Sequence, residues 1–116
     1  MRYLVMIYTD ESGETALAPE EERTMLMSYR SFFEEAAAAG VMEGGDRLRP
    51  TSTATVVRVR DGETLTTDGP YADTKEQLGG YFLLKCSDLD EALGWAAKIP
   101  GARYGSIEVR PIWERD

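Results

Sequence analysis

The chain has 116 residues, of which 42% are hydrophobic, and its 13 basic and 21 acidic residues give a net charge of −8. This length supports one compact core and predicts a single domain over residues 1–116. The negative field repels phosphate backbones and anionic lipid, which argues against a nucleic-acid or membrane partner.

The scarcity of histidine and cysteine limits the chemistry. The chain has no histidine, so the commonest general base near neutral pH and the commonest metal ligand are missing. We predict no metal and no cofactor, and expect acid–base work from carboxylates, tyrosine or lysine. The one cysteine, Cys86, ends an apolar strand and is expected to be a small buried group. The N-terminus is too short in apolar residues for a signal peptide, and no segment could span a bilayer, so a cytoplasmic protein is expected.

The first half of the chain predicts a strand, a helix and a second strand. Residues 2–9 are apolar at almost every position, as in a strand covered on both faces, and a polar loop to about residue 18 follows. Pro19 and the three glutamates after it favour a helix over residues 19–39, which Gly40 is placed to end. The inward stripe of this helix is predicted to be Leu26, Tyr29, Phe33 and Ala36, with Met25 and Phe32 beside it.

Two glycine motifs mark the middle of the chain. Gly44 and Gly45 interrupt an extended segment over residues 41–48, which suggests a bulge or a close backbone approach. A strand with alternating side chains is predicted over residues 52–60. The Asp61-Gly62 pair after it signals a hairpin, whose second strand leads into Asp68.

The last third predicts a strand, a helix and a strand. Residues 81–86 form the most apolar strand, and Ser87 is the predicted N-cap of a helix that runs to about residue 98. Its inward residues are predicted to be Leu89, Ala92, Leu93 and Ala96. Residues 106–113 alternate cleanly and predict a final strand.

This order of elements predicts an α+β fold of the ferredoxin-like split βαβ type, with an added hairpin. The last strand should lie beside the first in the middle of an antiparallel sheet, with both helices on one face. The uncovered face would mix Leu4, Met6 and Tyr8 with Glu108 and Arg110, and is too apolar to face water. We therefore predict a homodimer that packs sheet to sheet and encloses a barrel-like space.

The densest group of chemically active side chains lies over residues 66–80. Asp68 precedes Gly69 and Pro70, where glycine is free and proline fixes the turn. In one interpretation the Asp68 carboxylate accepts bonds from amides around Tyr71 or Ala72 and is structural. In the other, Asp68 is a candidate general base at the barrel mouth and Tyr71 contacts the ligand.

The uncovered face supplies the remaining candidate ligand-binding residues, which are Tyr8, Arg58, Glu108 and Arg110. Glu108 and Arg110 are either an internal ion pair that fixes register or the polar floor of a site for an anionic or polar ligand. Gly79 and Gly80 resemble a phosphate loop only superficially, because they enter a strand and not a helix N-terminus.

These motifs together resemble the DGPF branch of the YCII-related family. The resemblance rests on the segments 68–71, 76–80, 88–92 and 107–111, and it extends over nearly the whole chain. Tyr71 stands where the family usually has phenylalanine, and Ala18 stands where serine is usual. The resemblance implies a ferredoxin-like fold assembled as a dimeric α/β barrel.

The resemblance implies less about activity. Wider YCII-related proteins use a His-Asp pair, and at least one relative is a dehydrochlorinating lyase that acts on a hydroxylated aromatic; this chain has no histidine, so that mechanism does not transfer. Our first hypothesis is a homodimer that binds a small polar or aromatic metabolite, with lyase- or isomerase-type chemistry. The alternative is a non-catalytic accessory protein that acts with an extracytoplasmic-function sigma factor or another regulator, since genes of this branch often neighbour such factors.

Overall fold

The computed structural model describes residues 1–115, apart from the side chain of Thr15. Across these residues the fold is mixed α+β, with a four-stranded sheet, a separate two-stranded arm and three helices. The elements in chain order are β1 (Arg2–Thr9), α1 (Glu11–Thr15), α2 (Pro19–Ala38), β2 (Met42–Arg47), β3 (Thr55–Arg60), β4 (Glu63–Asp68), β5 (Gln77–Lys85), α3 (Leu89–Ala96) and β6 (Ser106–Pro111). Short 3-10 turns occupy Thr51–Thr53 and Pro100–Arg103.

The main sheet has the strand order β2-β5-β1-β6, and every neighbouring pair is antiparallel. The apolar strands β1 and β5 lie in the centre of the sheet, between the edge strands β2 and β6. Strand β6 pairs with β1, as predicted, but it forms one edge of the sheet and does not lie in the middle. The sheet is open, with β2 at its other edge.

The core lies between one face of this sheet and the helices α2 and α3. It is a single cluster of buried side chains that includes Tyr3, Val5, Ile7, Phe32, Ala36, Phe82, Leu84, Ala92 and Ala96. The rings of Phe32 and Phe82 lie 5.0 Å apart and join α2 to β5. Cys86 is buried in the same cluster, which confirms its structural interpretation. Side chains alternate across a strand, so Leu4 and Tyr8 point to the opposite, uncovered face.

The glycine motifs behave as predicted. Gly40 follows α2 with a φ of +76°, which suits the left-handed position after a helix. A register shift lies between Met42 and Gly44, so the predicted bulge is present. Asp61 and Gly62 have φ values of 51° and 78°, as the tight hairpin between β3 and β4 requires.

Several predicted boundaries in the first half were wrong. The polar run after β1 is a helix and not a loop, because Asp10 caps it by accepting a hydrogen bond from the Ser12 amide at 3.0 Å. The strand predicted over residues 52–60 begins at Thr55, since Thr51–Thr53 form a 3-10 turn.

Boundaries in the last third also differ. Strand β5 starts at Gln77, so both glycines before Tyr81 belong to it. Helix α3 is capped by Asp88 and not by Ser87: the Glu91 amide donates to the Asp88 carboxylate at 2.9 Å. Within α3 only the alanines are buried, and both leucines predicted to face inward are exposed because the helix rests on its small residues. Strand β6 ends at Pro111, before Trp113.

The β3–β4 arm stands apart from the main sheet. Its two strands pair with each other, and within residues 1–115 neither pairs with a strand of the main sheet. The arm contributes to a radius of gyration of 16.1 Å, against about 13 Å expected for a compact chain of this length. Within the same residues, every helix is too short or too polar to cross a membrane.

Candidate functional site

A large cleft opens on the helix side of the sheet. Its volume is about 900 Å³, which lies within the range of small-molecule sites. The cleft is bounded by α2, by α1 and the segment after it, by the end of β2 and its continuation to Pro50, and by the start of β5.

The apolar wall of the cleft comes from α2. Leu26 and Phe33, predicted to face the core, are 49% and 41% exposed, whereas Phe32 is buried. Both exposed side chains line the cleft, together with Met25 and Tyr29. The apolar spacing predicted along α2 is therefore present, but Leu26 and Phe33 face a cavity and not the core.

The floor of the cleft is shaped by glycines. Gly45, Gly79 and Gly80 line it beside Ile7 and Phe82. A Cβ on Gly45 would overlap the Phe82 ring and would lie 2.7 Å from the Tyr81 carbonyl oxygen. Glycine at this position lets β2 lie close to β5, which confirms the predicted close approach.

A partly buried phenol forms one polar element of the cleft. The Tyr29 hydroxyl oxygen accepts a hydrogen bond from the Gly101 amide at 3.1 Å. Burial, followed by the neighbouring Tyr104, raises the pKa of Tyr29 well above its ordinary value. Burial also raises the pKa of Tyr104, against the opposing effects of the Tyr29 hydroxyl and the Arg47 charge. Both phenols therefore stay protonated near neutral pH.

Two glutamates of α1, Glu11 and Glu14, line another side of the cleft. The Thr9 hydroxyl donates to the Glu14 carboxylate at 2.5 Å. The Glu11 carboxylate accepts hydrogen bonds from the Thr51 amide at 2.8 Å and the Thr51 hydroxyl at 2.6 Å. These bonds tie α1 to β1 and to the segment after β2, so the helix missed by the sequence prediction closes one end of the cleft.

Two arginines lie on the β2 side of the cleft. Arg47 lies opposite Gly80 on β5, and Arg49 is two residues further along the chain. Both line the cleft, and among residues 1–115 neither is in an ion pair. The neighbouring Asp46 carboxylate accepts a hydrogen bond from the Tyr81 hydroxyl at 2.7 Å, which raises the pKa of Tyr81.

Three of the six predicted site residues lie on the uncovered face. Tyr8 and Glu108 line a shallow, open hollow of about 550 Å³. Arg110 donates a hydrogen bond to Glu108 and forms an ion pair with it. Both side chains are exposed and belong to the same strand, so the choice between the two interpretations of this pair stays a prediction.

The other three predicted residues lie on and after the arm. Arg58 stacks over the Tyr71 ring, with 5.9 Å between the guanidinium carbon and the ring centroid, although Tyr71 is 83% exposed. Asp68 ends β4, and within residues 1–115 its carboxylate has no hydrogen-bond partner, so the proposed bonds to the Tyr71 and Ala72 amides are absent. Gly69 has a φ of +102°, which only glycine adopts easily. None of these three lines either cavity.

The sequence prediction missed the cleft. The spacing of Leu26, Tyr29 and Phe33 indicated a buried face but not what it faced. Arg47 and Arg49 stand two residues apart at the end of a strand, a spacing that places them on one face and was a usable signal. The residues of α1 gave no such signal, because a five-residue polar run reads as a turn. No group of three or more possible metal-ligating side chains occurs in the described part of the chain.

Comparison with known proteins identifies the family. The model of the YCII-related domain matches residues 1–116. An uncharacterised protein of Rhizobium meliloti (strain 1021) is 40% identical over 114 residues, which cover 97% of this chain and 92% of that protein. This coverage extends across both the cleft and the arm. The chain therefore belongs to the YCII-related family.

Proposed function

We propose that this protein binds a small organic molecule in the cleft beside α2. The cleft itself carries the proposal: it has the volume of a metabolite site, an apolar wall and a few fixed polar groups. Exposed apolar side chains such as Leu26 and Phe33 are costly in water and gain from a ligand that covers them. We expect the protein to act in the cytoplasm.

A metabolite screen with a blocked cleft tests this proposal. Leu26→Trp places a large ring in the cleft from an exposed helical position, and Met27→Trp is the matched control on the neighbouring residue, which is 64% exposed and does not line the cleft. Ligands that raise the melting temperature of the wild type should raise that of Met27→Trp but not that of Leu26→Trp. Equal effects on both variants, or no ligand in a broad screen, would overturn the proposal.

We also propose that two chains associate through their uncovered sheet faces. The strand order β2-β5-β1-β6 supports a ferredoxin-like arrangement, in which such faces can pack into a dimeric α/β barrel. Leu4, Tyr8 and Leu83 leave apolar surface there. Light scattering at micromolar concentration should give the mass of a dimer, and a monomer mass would contradict this assembly.

Such a dimer is the setting in which the six residues predicted from the sequence would act together. In one chain, Tyr8, Glu108 and Arg110 lie on the sheet face, whereas Arg58, Asp68 and Tyr71 belong to the arm region. A second copy on the sheet face is the arrangement that can bring the groups together, with Asp68 as the candidate base. Asp68→Asn should then weaken ligand binding or turnover without changing the dimer mass.

Acid–base chemistry of lyase or isomerase type is the first reaction class to assay. Within the cleft, Glu14 is a carboxylate fixed by Thr9 and close to the protonated phenols of Tyr29 and Tyr104. A carboxylate base and a phenol donor can together move a proton without histidine. Solvent deuterium incorporation into a bound ligand, lost in Glu14→Gln, tests this role.

An accessory role beside a sigma factor or another regulator is the second proposal. The observation that favours it is the exposed arm, where Val57, Val59 and Leu65 offer apolar surface to another protein. Affinity capture with the wild type, compared with a variant that carries Val57→Asp and Val59→Asp, distinguishes a protein partner from self-association. Recovery of this chain alone would leave the arm as a dimer contact and contradict the accessory role.

A further inference from the structure

The acidic and basic side chains that line the cleft differ in how many of them have a hydrogen-bond or ion-pair partner. On the acidic side, Glu11 is held by Thr51, Glu14 by Thr9 and Asp46 by Tyr81. Glu22, in the first turn of α2, is exposed at the rim. On the basic side, Arg47 and Arg49 have no ion-pair partner among residues 1–115.

Arg47 and Arg49 differ from the third arginine that lines the cleft. The chain has 21 acidic and 13 basic residues, so its net charge is negative. Arg30, which also lines the cleft, is paired with Glu34 at 3.2 Å. Among the described residues, Arg47 and Arg49 therefore leave two guanidinium groups without an ion pair on the β2 side of the cleft, where they can attract an anionic group.

The space beside these arginines is apolar. The α2 wall supplies Met25, Leu26 and Phe33, the floor supplies Ile7 and Phe82, and Leu17 closes the side near α1. A small inorganic anion would leave this surface exposed to water. A ligand with a flat or bulky apolar body would cover it, at about 25 cal/mol for each Å² of apolar surface removed from water.

We propose that the ligand of the cleft is an amphipathic organic anion, with its carboxylate on Arg47 and Arg49 and its aromatic or aliphatic body against the α2 wall. Guanidinium groups bind carboxylates through paired hydrogen bonds, which fixes orientation as well as affinity. The Tyr29 phenol and the Glu14 carboxylate line the same cleft and are the polar groups available to a hydroxyl of the ligand. This inference rests on the proposed function of the cleft and narrows it to one class of ligand.

A paired probe panel tests the ligand class. Phenyl, indolyl and naphthyl carboxylates are titrated against the ¹⁵N-labelled protein, each beside its neutral amide or alcohol counterpart. We expect at least one carboxylate to shift the amides of Gly45, Gly79 and Gly80 and to bind about tenfold more tightly than its neutral counterpart. In Arg47→Gln/Arg49→Gln this preference should disappear.

The control variant is Arg23→Gln/Arg60→Gln, which loses the same charge at two exposed positions that do not line the cleft. It should keep the preference for carboxylates. If the preference survives in Arg47→Gln/Arg49→Gln, or is lost equally in the control, the assignment of the arginines is wrong.

Two further outcomes separate this inference from the proposed function. If neutral counterparts bind the cleft as tightly as the carboxylates, the ligand class is wrong while the cleft remains a binding site. If no probe of either kind shifts the cleft amides and the broad metabolite screen is also negative, the inference and the proposed function are both overturned.

Discussion

The Gly101 amide donates a hydrogen bond to the Tyr29 hydroxyl oxygen at 3.1 Å and joins positions 72 residues apart. No space for a side chain remains between the two residues. A Cβ on Gly101 would lie 2.7 Å from that oxygen and 3.1 Å from Cγ2 of Ile7. The contact fixes the polar end of Tyr29 at the cleft, so a residue expected only to pack in the core also sets the position of a hydrogen-bonding group.

The first prediction concerns this contact. Gly101→Ala forces the Tyr29 ring to move and weakens its hydrogen bond, so we expect the free energy of unfolding to fall by about 1–3 kcal/mol. Urea denaturation measures the loss. The matched control is Gly94→Ala, because a Cβ there meets nothing within 4 Å in helix α3; it should leave stability unchanged or raise it by up to about 1 kcal/mol. Equal losses in both variants would contradict the tight contact.

The second prediction concerns pH. Burial raises the pKa of Tyr29 above the ordinary value of 10.0, so the folded protein holds this proton more tightly than the unfolded chain does. Above pH 10 the unfolded chain loses this proton while the folded protein keeps it. The contribution of Tyr29 to the free energy of unfolding is therefore fully present below pH 10 and falls as pH rises above that value. Urea midpoints measured from pH 8 to pH 11 should therefore decline.

Tyr29→Phe separates this tyrosine from the others. The variant loses the hydrogen bond from Gly101 and is less stable at pH 8, but its stability should decline less steeply above pH 10 than that of the wild type. Tyr104 and Tyr81 also have raised pKa values and account for the residual slope. Parallel curves for the variant and the wild type would show that Tyr29 does not titrate abnormally.

Much of the fold could be predicted because the spacing of apolar residues along the chain indicates which side chains are buried. The nearly continuous apolar run of β1 and the proline and glycine around α2 placed both elements within a residue or two of their observed bounds. Short polar segments were less predictable. The run that contains Asp10 has turn-forming residues, and its side-chain cap together with its bonds to Thr9 and distant Thr51 hold it in place as a helix.

The candidate site was harder to predict than the fold, for a physical reason. Apolar spacing on α2 is the same whether the stripe faces a core or a cleft, so Phe33 and Phe32 could not be told apart in sequence. The motif around Asp68 contains many polar side chains, but their number does not indicate whether the segment lies near a cavity. The bonds that position Glu11 and Tyr29 span 40 and 72 residues, and no local pattern predicts them.

The third prediction uses the two glycines of β2. Gly45→Ala places a Cβ into the Phe82 ring and against the Tyr81 carbonyl. Because one of these neighbours is backbone, the strands must separate, and we expect a loss of about 2–3 kcal/mol. Gly44→Ala meets nothing within 4 Å and should cost less than about 1 kcal/mol. Thermal and urea unfolding of both variants measure the contrast; a Gly44 variant as unstable as the Gly45 variant would contradict it.

The last prediction concerns the arm. Val57 is 60% exposed, so Val57→Asp costs little within one chain, where the carboxylate stays in water. If the arm contacts a second copy, the same change places a charge in the interface, and the dimer should dissociate at micromolar concentration. Met27→Asp is the control, since Met27 is 64% exposed on α2, away from the uncovered sheet face, and it should keep the dimer mass. Light scattering of the wild type and of both variants measures the mass in solution. A dimer mass unaffected by Val57→Asp would place the arm outside the interface, because an interface does not tolerate a buried carboxylate without a partner.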